Sequence, residues 1–199
     1  MTRVIAGQAG GRRLAVPAGR DTRPTSDRAR EGLFATIASM VGSLAGARVL
    51  DLYAGSGAVG LEALSRGAGH ALLVESGARA GRVIRANIEA IGLPGAELIT
   101  DRVERVLARG PGQGPYDVVF ADPPYALPVE EVTGMLTELA DRGWLAPGAL
   151  VVLERATRSG PVSWPAGFAA DRARRYGEAT FWYARAPSAP GPRHLPAEP

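Results

Sequence analysis

The stretch Asp117-Val118-Val119-Phe120-Ala121-Asp122-Pro123-Pro124-Tyr125 contains the transition that decides the fold. An apolar strand runs straight into Asp-Pro-Pro-Tyr. Pro123 and Pro124 remove two backbone donors and fix two φ angles. Pro123 also steers Asp122 away from helical conformation. The pattern predicts a rigid, extended corner at a strand's C-terminal end, where open α/β sheets bind ligands. Such a corner presents a carboxylate, carbonyl oxygens and an aromatic ring. These suit a planar base with an exocyclic amino group: the acceptors take its N–H bonds and the ring stacks on its face. In isolation the same residues could form a plain loop with a surface Asp and a packed Tyr, so the rest of the chain decides.

A second strand lies upstream at Arg48-Val49-Leu50-Asp51-Leu52-Tyr53, and Ala54-Gly55-Ser56-Gly57-Ala58-Val59-Gly60 turns it into a helix. A glycine-rich turn lets a ligand approach the backbone closely, and the helix N-terminus offers free N–H groups. Gly55 to Gly60 satisfies G-x-G-x-x-G, and Glu75 follows the strand Ala71-Leu72-Leu73-Val74 at the spacing of a dinucleotide fingerprint. Asp51 argues against NAD, because a carboxylate at the strand's end repels a pyrophosphate. It suits a ligand with a cationic amino group, such as the methionine part of S-adenosylmethionine, and Glu75 can then accept from ribose hydroxyls.

Strands and helices alternate along the middle of the chain. Strands are expected at 48–53, 70–75, 96–100, 116–121 and 149–154. Helices are expected at 58–66, 77–91, 102–108 and 128–142. This alternation argues for a parallel sheet with helices on both faces. Short apolar runs at 3–7 and 12–16 around Gly10-Gly11 suggest a β-hairpin. Ser26 or Asp27 can cap a helix carrying Leu33, Phe34, Ile37 and Val41 at helical spacing. Residues 172–176 and 179–185 flank Gly177-Glu178 and read as a closing hairpin. The expected organisation is an N-terminal β-hairpin extension over 1–22, one catalytic domain over 23–186 and a disordered, proline-rich tail over 187–199.

Asp51-Leu52-Tyr53-Ala54-Gly55-Ser56-Gly57 and Asp122-Pro123-Pro124-Tyr125 resemble motifs I and IV of S-adenosylmethionine-dependent methyltransferases that act on exocyclic amino groups. More narrowly, the chain resembles the RsmD family, which methylates guanine N2 in 16S ribosomal RNA. The resemblance is carried by Arg3 to Pro17, by Arg23-Pro24-Thr25-Ser26-Asp27-Arg28-Ala29-Arg30-Glu31 running into Phe34, by Asp51 through Glu75, and by the Asp-Pro-Pro-Tyr corner. It spans residues 1 to 185; the tail beyond Arg185 has no counterpart. The resemblance implies a Rossmann-like α/β fold with a mostly parallel seven-stranded sheet in order 3-2-1-4-5-7-6. It implies catalytic roles for Asp122, Pro123, Pro124 and Tyr125. It implies a cofactor site of Asp51, Tyr53, Ala54, Gly55, Ser56, Gly57, Glu75 and Ser76. Arg23 and Thr25 would line the same pocket. Asp101 either lies near the adenine amino group or caps the helix starting at Arg102.

All 23 basic side chains are arginine. Residues 1–48 carry eight arginines against three carboxylates, a net +5; the remainder carries fifteen against seventeen, a net −2. A basic N-terminal part beside a slightly acidic catalytic part fits an RNA footprint, for which Arg3, Arg12, Arg13, Arg20, Arg28 and Arg30 are the candidates. A solvated charged face is the plainer alternative. The absence of cysteine excludes disulfides, thiolate metal sites and cysteine-dependent methylation at pyrimidine C5. His70 and His194 stand outside every motif, so neither histidine chemistry nor a metal site is expected. No apolar run reaches membrane-span length, and neither a membrane span nor a signal peptide is expected. A cytoplasmic monomer acting on 16S ribosomal RNA, alone or within a 30S particle, is expected. Adenine-N6 methylation, a non-catalytic nucleic-acid module and an NAD oxidoreductase remain the alternatives.

Overall fold

The computed structural model describes residues 2–17 and 26–188. Two sheets are present among them. A two-stranded ladder pairs β1 (Thr2–Arg3) with β2 (Arg13–Leu14). The main sheet contains β3 (Arg48–Leu52), β4 (His70–Val74), β5 (Ala96–Ile99), β6 (Tyr116–Ala121), β7 (Leu145–Ala156), β8 (Ala169–Tyr176) and β9 (Ala179–Arg185). Its order is β5-β4-β3-β6-β7-β9-β8. Counted from β3, that is the expected 3-2-1-4-5-7-6. β3 through β7 run parallel to one another, and β9 is antiparallel to both β7 and β8.

Helices cover both faces. Ser26 caps α1 (Asp27–Val41) by accepting the Ala29 N–H at 3.2 Å. Leu33, Phe34 and Ile37 of α1 join the core layer shared with α2 (Ala58–Ser65) and α3 (Ala78–Ile91). The opposite layer holds α4 (Val103–Ala108), α5 (Val129–Asp141) and Trp144, whose indole N–H donates to Leu107 O at 3.0 Å. Trp144 is core, as expected. Tyr183 is buried and Trp182 half-buried, as alternation along β9 requires.

The N-terminal segment differs from the hairpin expected at 3–7 and 12–16. The ladder is two residues long, because the intervening backbone bonds elsewhere. Ile5 and Ala6 N–H donate to the Glu62 carboxylate at 2.6 and 3.1 Å. Ala9 N–H donates to Ser65 Oγ at 2.9 Å and Gln8 N–H to Ser65 O at 2.8 Å. Val4, Ala9 and Leu14 enter the main core. The segment is therefore fastened to α2 and does not stand free. β7 begins at Leu145, earlier than expected, with an irregular register against β6 between Tyr116 and Val118.

Candidate active site

The strand order reverses between β3 and β6, and their C-terminal ends open onto a cleft of about 1050 Å³. One half is built by β3, β4 and the glycine loop. Asp51 is 1 % exposed, and one carboxylate oxygen accepts the Gly60 N–H at 2.8 Å, tying the strand to the first turn of α2. Burial pushes its carboxyl up to about 8; the Gly60 hydrogen bond opposes this and the neighbouring Glu75 adds to it. Tyr53 follows at φ 60°, the single non-glycine residue with positive φ among those described. Such a conformation costs on the order of 1–3 kcal/mol and concentrates at functional sites. Gly57 has φ 78°, and a Cβ there would lie 2.8 Å from Leu73 Cδ2, so a larger residue would be strained in the turn.

Glu75 holds the loop from the next strand. Its two oxygens accept from Gly55 N–H at 2.9 Å and Gly77 N–H at 2.7 Å. Each oxygen can accept a further hydrogen bond. Asn87 of α3 braces the same loop, donating to Ser56 O and Ala15 O at 2.9 Å each while accepting Ala15 N–H at 2.8 Å. One buried amide thus links the N-terminal segment to the glycine turn. Tyr53, Ala54, Gly55, Ser56, Glu75 and Ser76 all line the cleft. Asp101 lies outside that lining; its carboxylate accepts Arg102 N–H at 2.8 Å and pairs with Arg105 and Arg109, while α4 has Arg102 as its N-cap and no side-chain cap bond, so Asp101 is not the cap either. Arg20, Arg23 and Thr25 lie outside the described residues.

The other half is the Asp-Pro-Pro-Tyr corner. Pro123 is buried, while Pro124 and Tyr125 face the cleft, Tyr125 with 38 % of its surface exposed. The buried Arg155 guanidinium donates to Pro124 O at 3.3 Å and Leu127 O at 3.0 Å, fixing the corner from the opposite sheet face. Asp122 is half-buried. Burial first, then Glu154, then Asp51 raise its carboxyl well above the usual range, with Arg155 offsetting part of the rise. A smaller cavity of about 530 Å³ lies at the opposite strand ends, where Asp117 and Arg185 already bond the backbone of Arg48, Gly148 and Met40.

Comparison with known proteins matches this arrangement. A sequence profile described as "Conserved hypothetical protein 95" matches residues 2–185. Ribosomal RNA small subunit methyltransferase D of Escherichia coli K12 is 37 % identical over 180 residues, 90 % of this chain and 87 % of that one. The chain belongs to the RsmD family. The solved structure of the putative methyltransferase yhhF from Escherichia coli superposes with a TM-score of 0.82 at 32 % identity, covering 94 % of this chain and 99 % of that one. The putative methyltransferase SMU.776, complexed with SAH, superposes at 0.59 with 18 % identity over 75 % of this chain and 47 % of that one, a likeness of fold.

Within this RsmD-family fold the candidate RNA arginines separate. Arg3, Arg12, Arg13 and Arg28 are exposed. Arg3 pairs with Asp27 at 3.4 Å and Arg12 donates to Ile91 O. Arg30 corrects the expectation: it is 0 % exposed. Its guanidinium donates to Arg3 O, Thr2 Oγ1 and Asp27, and lies 3.9 Å from the buried Glu62. In this position it fastens the N-terminal segment and presents no charge to a phosphate. Glu154 and Arg155 are site residues that the sequence reading passed over. Their signal was a charged pair at the end of an apolar strand, readable only once β7 is known to lie beside β6.

No helix among the described residues is long and apolar enough to cross a membrane. No group of three or more His, Cys, Asp or Glu among them could hold a metal ion.

Proposed function

We infer that the protein transfers a methyl group from S-adenosylmethionine to the exocyclic N2 of a guanine in 16S ribosomal RNA. The observation that carries this reading is the meeting, in one cleft, of the buried Asp51 beside a glycine turn and the Asp122–Tyr125 corner. Asp51 has one oxygen committed to Gly60 and one left for the cationic amino group of the methionine part. The lone pairs that Glu75 retains after bonding Gly55 and Gly77 suit the ribose hydroxyls. S-adenosylmethionine supplies an electrophilic methyl group on a positively charged sulfur.

The remaining work falls to the corner. A guanine amino nitrogen is conjugated with its ring, so its lone pair is a poor nucleophile. Asp122 and the Pro123 carbonyl accept its two N–H bonds and favour a more pyramidal nitrogen. Tyr125 stacks on a base swung out of its RNA context. Holding the nitrogen in line with the methyl carbon accounts for most of the acceleration. The N–C bond forms as the S–C bond breaks, and the surplus proton leaves the nitrogen for Asp122 or water. Asp122 needs no great basicity, since proton loss follows transfer.

The exposed Arg3, Arg12, Arg13 and Arg28 then serve the RNA backbone, and Val16 and Pro17 bring the N-terminal segment to the cleft wall. Undermethylated 16S RNA incubated with tritiated S-adenosylmethionine, with and without small-subunit proteins, tests the reading. Label in RNA is expected, and the better substrate reports whether a naked RNA or an assembling 30S particle is the partner. No incorporation in either form contradicts the proposal.

A further inference from the structure

The slightly acidic balance of the chain after residue 48 conceals two unlike parts. Residues 49–154 carry eight arginines against fourteen carboxylates, a net −6, whereas residues 155–185 carry six against two, a net +4. The second part forms the end of β7, the short turn Thr157–Ser159, and the hairpin of β8 and β9. Because β9 is antiparallel to both β7 and β8, β8 ends at the same edge of the sheet as β7, beside the cleft. Glu154 lies opposite Phe181, and Phe181 opposite Arg174. Arg155 lies opposite Thr180, and Thr180 opposite Arg175. Arg174 and Arg175 thus stand two strand spacings, roughly 10 Å, from the β7 residues of the corner. Both are exposed, as is Arg158. Arg158 and Arg175 line the cleft itself.

The charge of the cleft changes with depth. Asp51, Glu75, Asp122 and Glu154 line its floor, which suits a base and a cationic cofactor and not a phosphate. The basic rim supplies what the floor lacks. Some of its arginines are engaged within the protein. Arg155 donates to Pro124 O and Leu127 O, Arg185 to Gly148 O and Met40 O, and Arg172 pairs with Asp171. Arg175 donates through Nε to Gly177 O at 2.9 Å, and its guanidinium has further N–H groups to donate. Charge along an edge strand also blocks pairing with another sheet. That role accounts for β8 but not for Arg158, which stands off the strand on the same rim. We propose that Arg158, Arg174 and Arg175 bind the sugar–phosphate chain of the substrate RNA beside the base that is swung into the cleft. Val16 and Pro17 of the N-terminal segment line the same cleft, so the RNA crosses its mouth between two basic walls. The proposal rests on the reading of RNA as substrate, and not on which base is methylated.

The test is a salt titration of binding to undermethylated 16S RNA. One variant combines Arg158→Ala, Arg174→Ala and Arg175→Ala; a second combines Arg158→Lys, Arg174→Lys and Arg175→Lys. At about 0.1 M salt the alanine variant should bind the RNA at least about tenfold more weakly, and its log–log salt slope should be smaller by about two to three units, slightly under one per lost phosphate contact. The lysine variant keeps the charge, so its slope should stay within about half a unit of the wild type. Affinity for S-adenosylhomocysteine, measured by calorimetry, reports that the fold is intact and should stay within about twofold in both, since none of the three arginines belongs to the glycine-loop half of the cleft. An unchanged slope in the alanine variant overturns the proposal. So does a lysine variant that loses as much as the alanine one, because attraction to phosphates needs only the charge. Where the triple alanine variant loses S-adenosylhomocysteine as well, Arg158→Glu alone decides: RNA binding weaker by at least about threefold supports the proposal, and unchanged affinity overturns it. Wild-type protein that does not bind 16S RNA, or binds it without salt dependence, overturns the RNA reading itself and this proposal with it.

Discussion

The two halves of the cleft treat their carboxylates in opposite ways. Around the glycine loop, Asp51 and Glu75 are saturated on one side by backbone N–H groups of Gly55, Gly60 and Gly77. At the corner, Asp122 and Glu154 crowd each other, and the rigidity comes from prolines and from Arg155 beneath. The first half is a finished mould for a ligand of fixed shape. The second sets carboxylates and an aromatic ring on a rigid corner, with the Tyr125 hydroxyl donating to Glu154 at 3.4 Å. A cofactor that is the same in every turnover suits the first; a base that must be recognised suits the second.

Substitutions should separate the halves. The largest effect is expected for Asp122→Ala: a loss of about 10³-fold in kcat, the scale seen when one preorganised group at the reacting centre is removed. S-adenosylhomocysteine affinity measured by calorimetry should stay within threefold. Near-normal turnover would make the corner structural. Asp51→Ala should do the reverse, weakening S-adenosylmethionine binding by about 2 kcal/mol or more through loss of a charged partner. Unchanged affinity would displace the methionine amino group from Asp51.

Asp51 also predicts a pH dependence. Its carboxyl is raised from 3.8 to about 8, so the free chain holds it protonated at neutral pH. That protonated form contributes stability below pH 4 that is lost as pH rises through about 8. Pairing with an ammonium group requires the carboxylate, so binding should expel a proton. Affinity should rise between pH 6 and 8 by up to about tenfold per unit and flatten above. Calorimetry at pH 7 in two buffers of different ionisation enthalpy would detect the proton; no release would contradict the assignment.

How much of this was legible in the sequence follows the range of the interactions. The corner and the glycine turn are local, and the residues quoted for them line one cleft, except Gly57 and Gly60, which lie outside its lining. The sheet order came with the family resemblance, since alternation alone gives parallel strands but not their sequence. Glu154 stayed hidden because its meaning depends on β7 lying beside β6. Arg30 was misread from composition, although its spacing to Leu33, Phe34 and Ile37 already placed it on the buried face of α1. The N-terminal hairpin was overextended because nothing local reveals that Glu62 and Ser65, more than fifty residues away, take its donors.

Two smaller effects sharpen the comparison on the base side. Tyr125→Ala should weaken RNA use by about 1–3 kcal/mol, the worth of one base–aromatic stack, and leave cofactor binding alone. Changing Arg12 and Arg13 together to alanine should lower the salt dependence of RNA affinity by about two units, one per phosphate contact. Whole-segment deletion is the wrong probe, because it strips partners from Glu62, Arg30 and Asn87 at once. An unchanged slope would assign the RNA surface to other arginines.

The most direct measurement is mass spectrometry of nucleosides released from undermethylated 16S RNA after incubation with the protein and S-adenosylmethionine. N2-methylguanosine, absent from the Asp122→Ala reaction, is the predicted product. N6-methyladenosine, or no methylated nucleoside, would contradict the account.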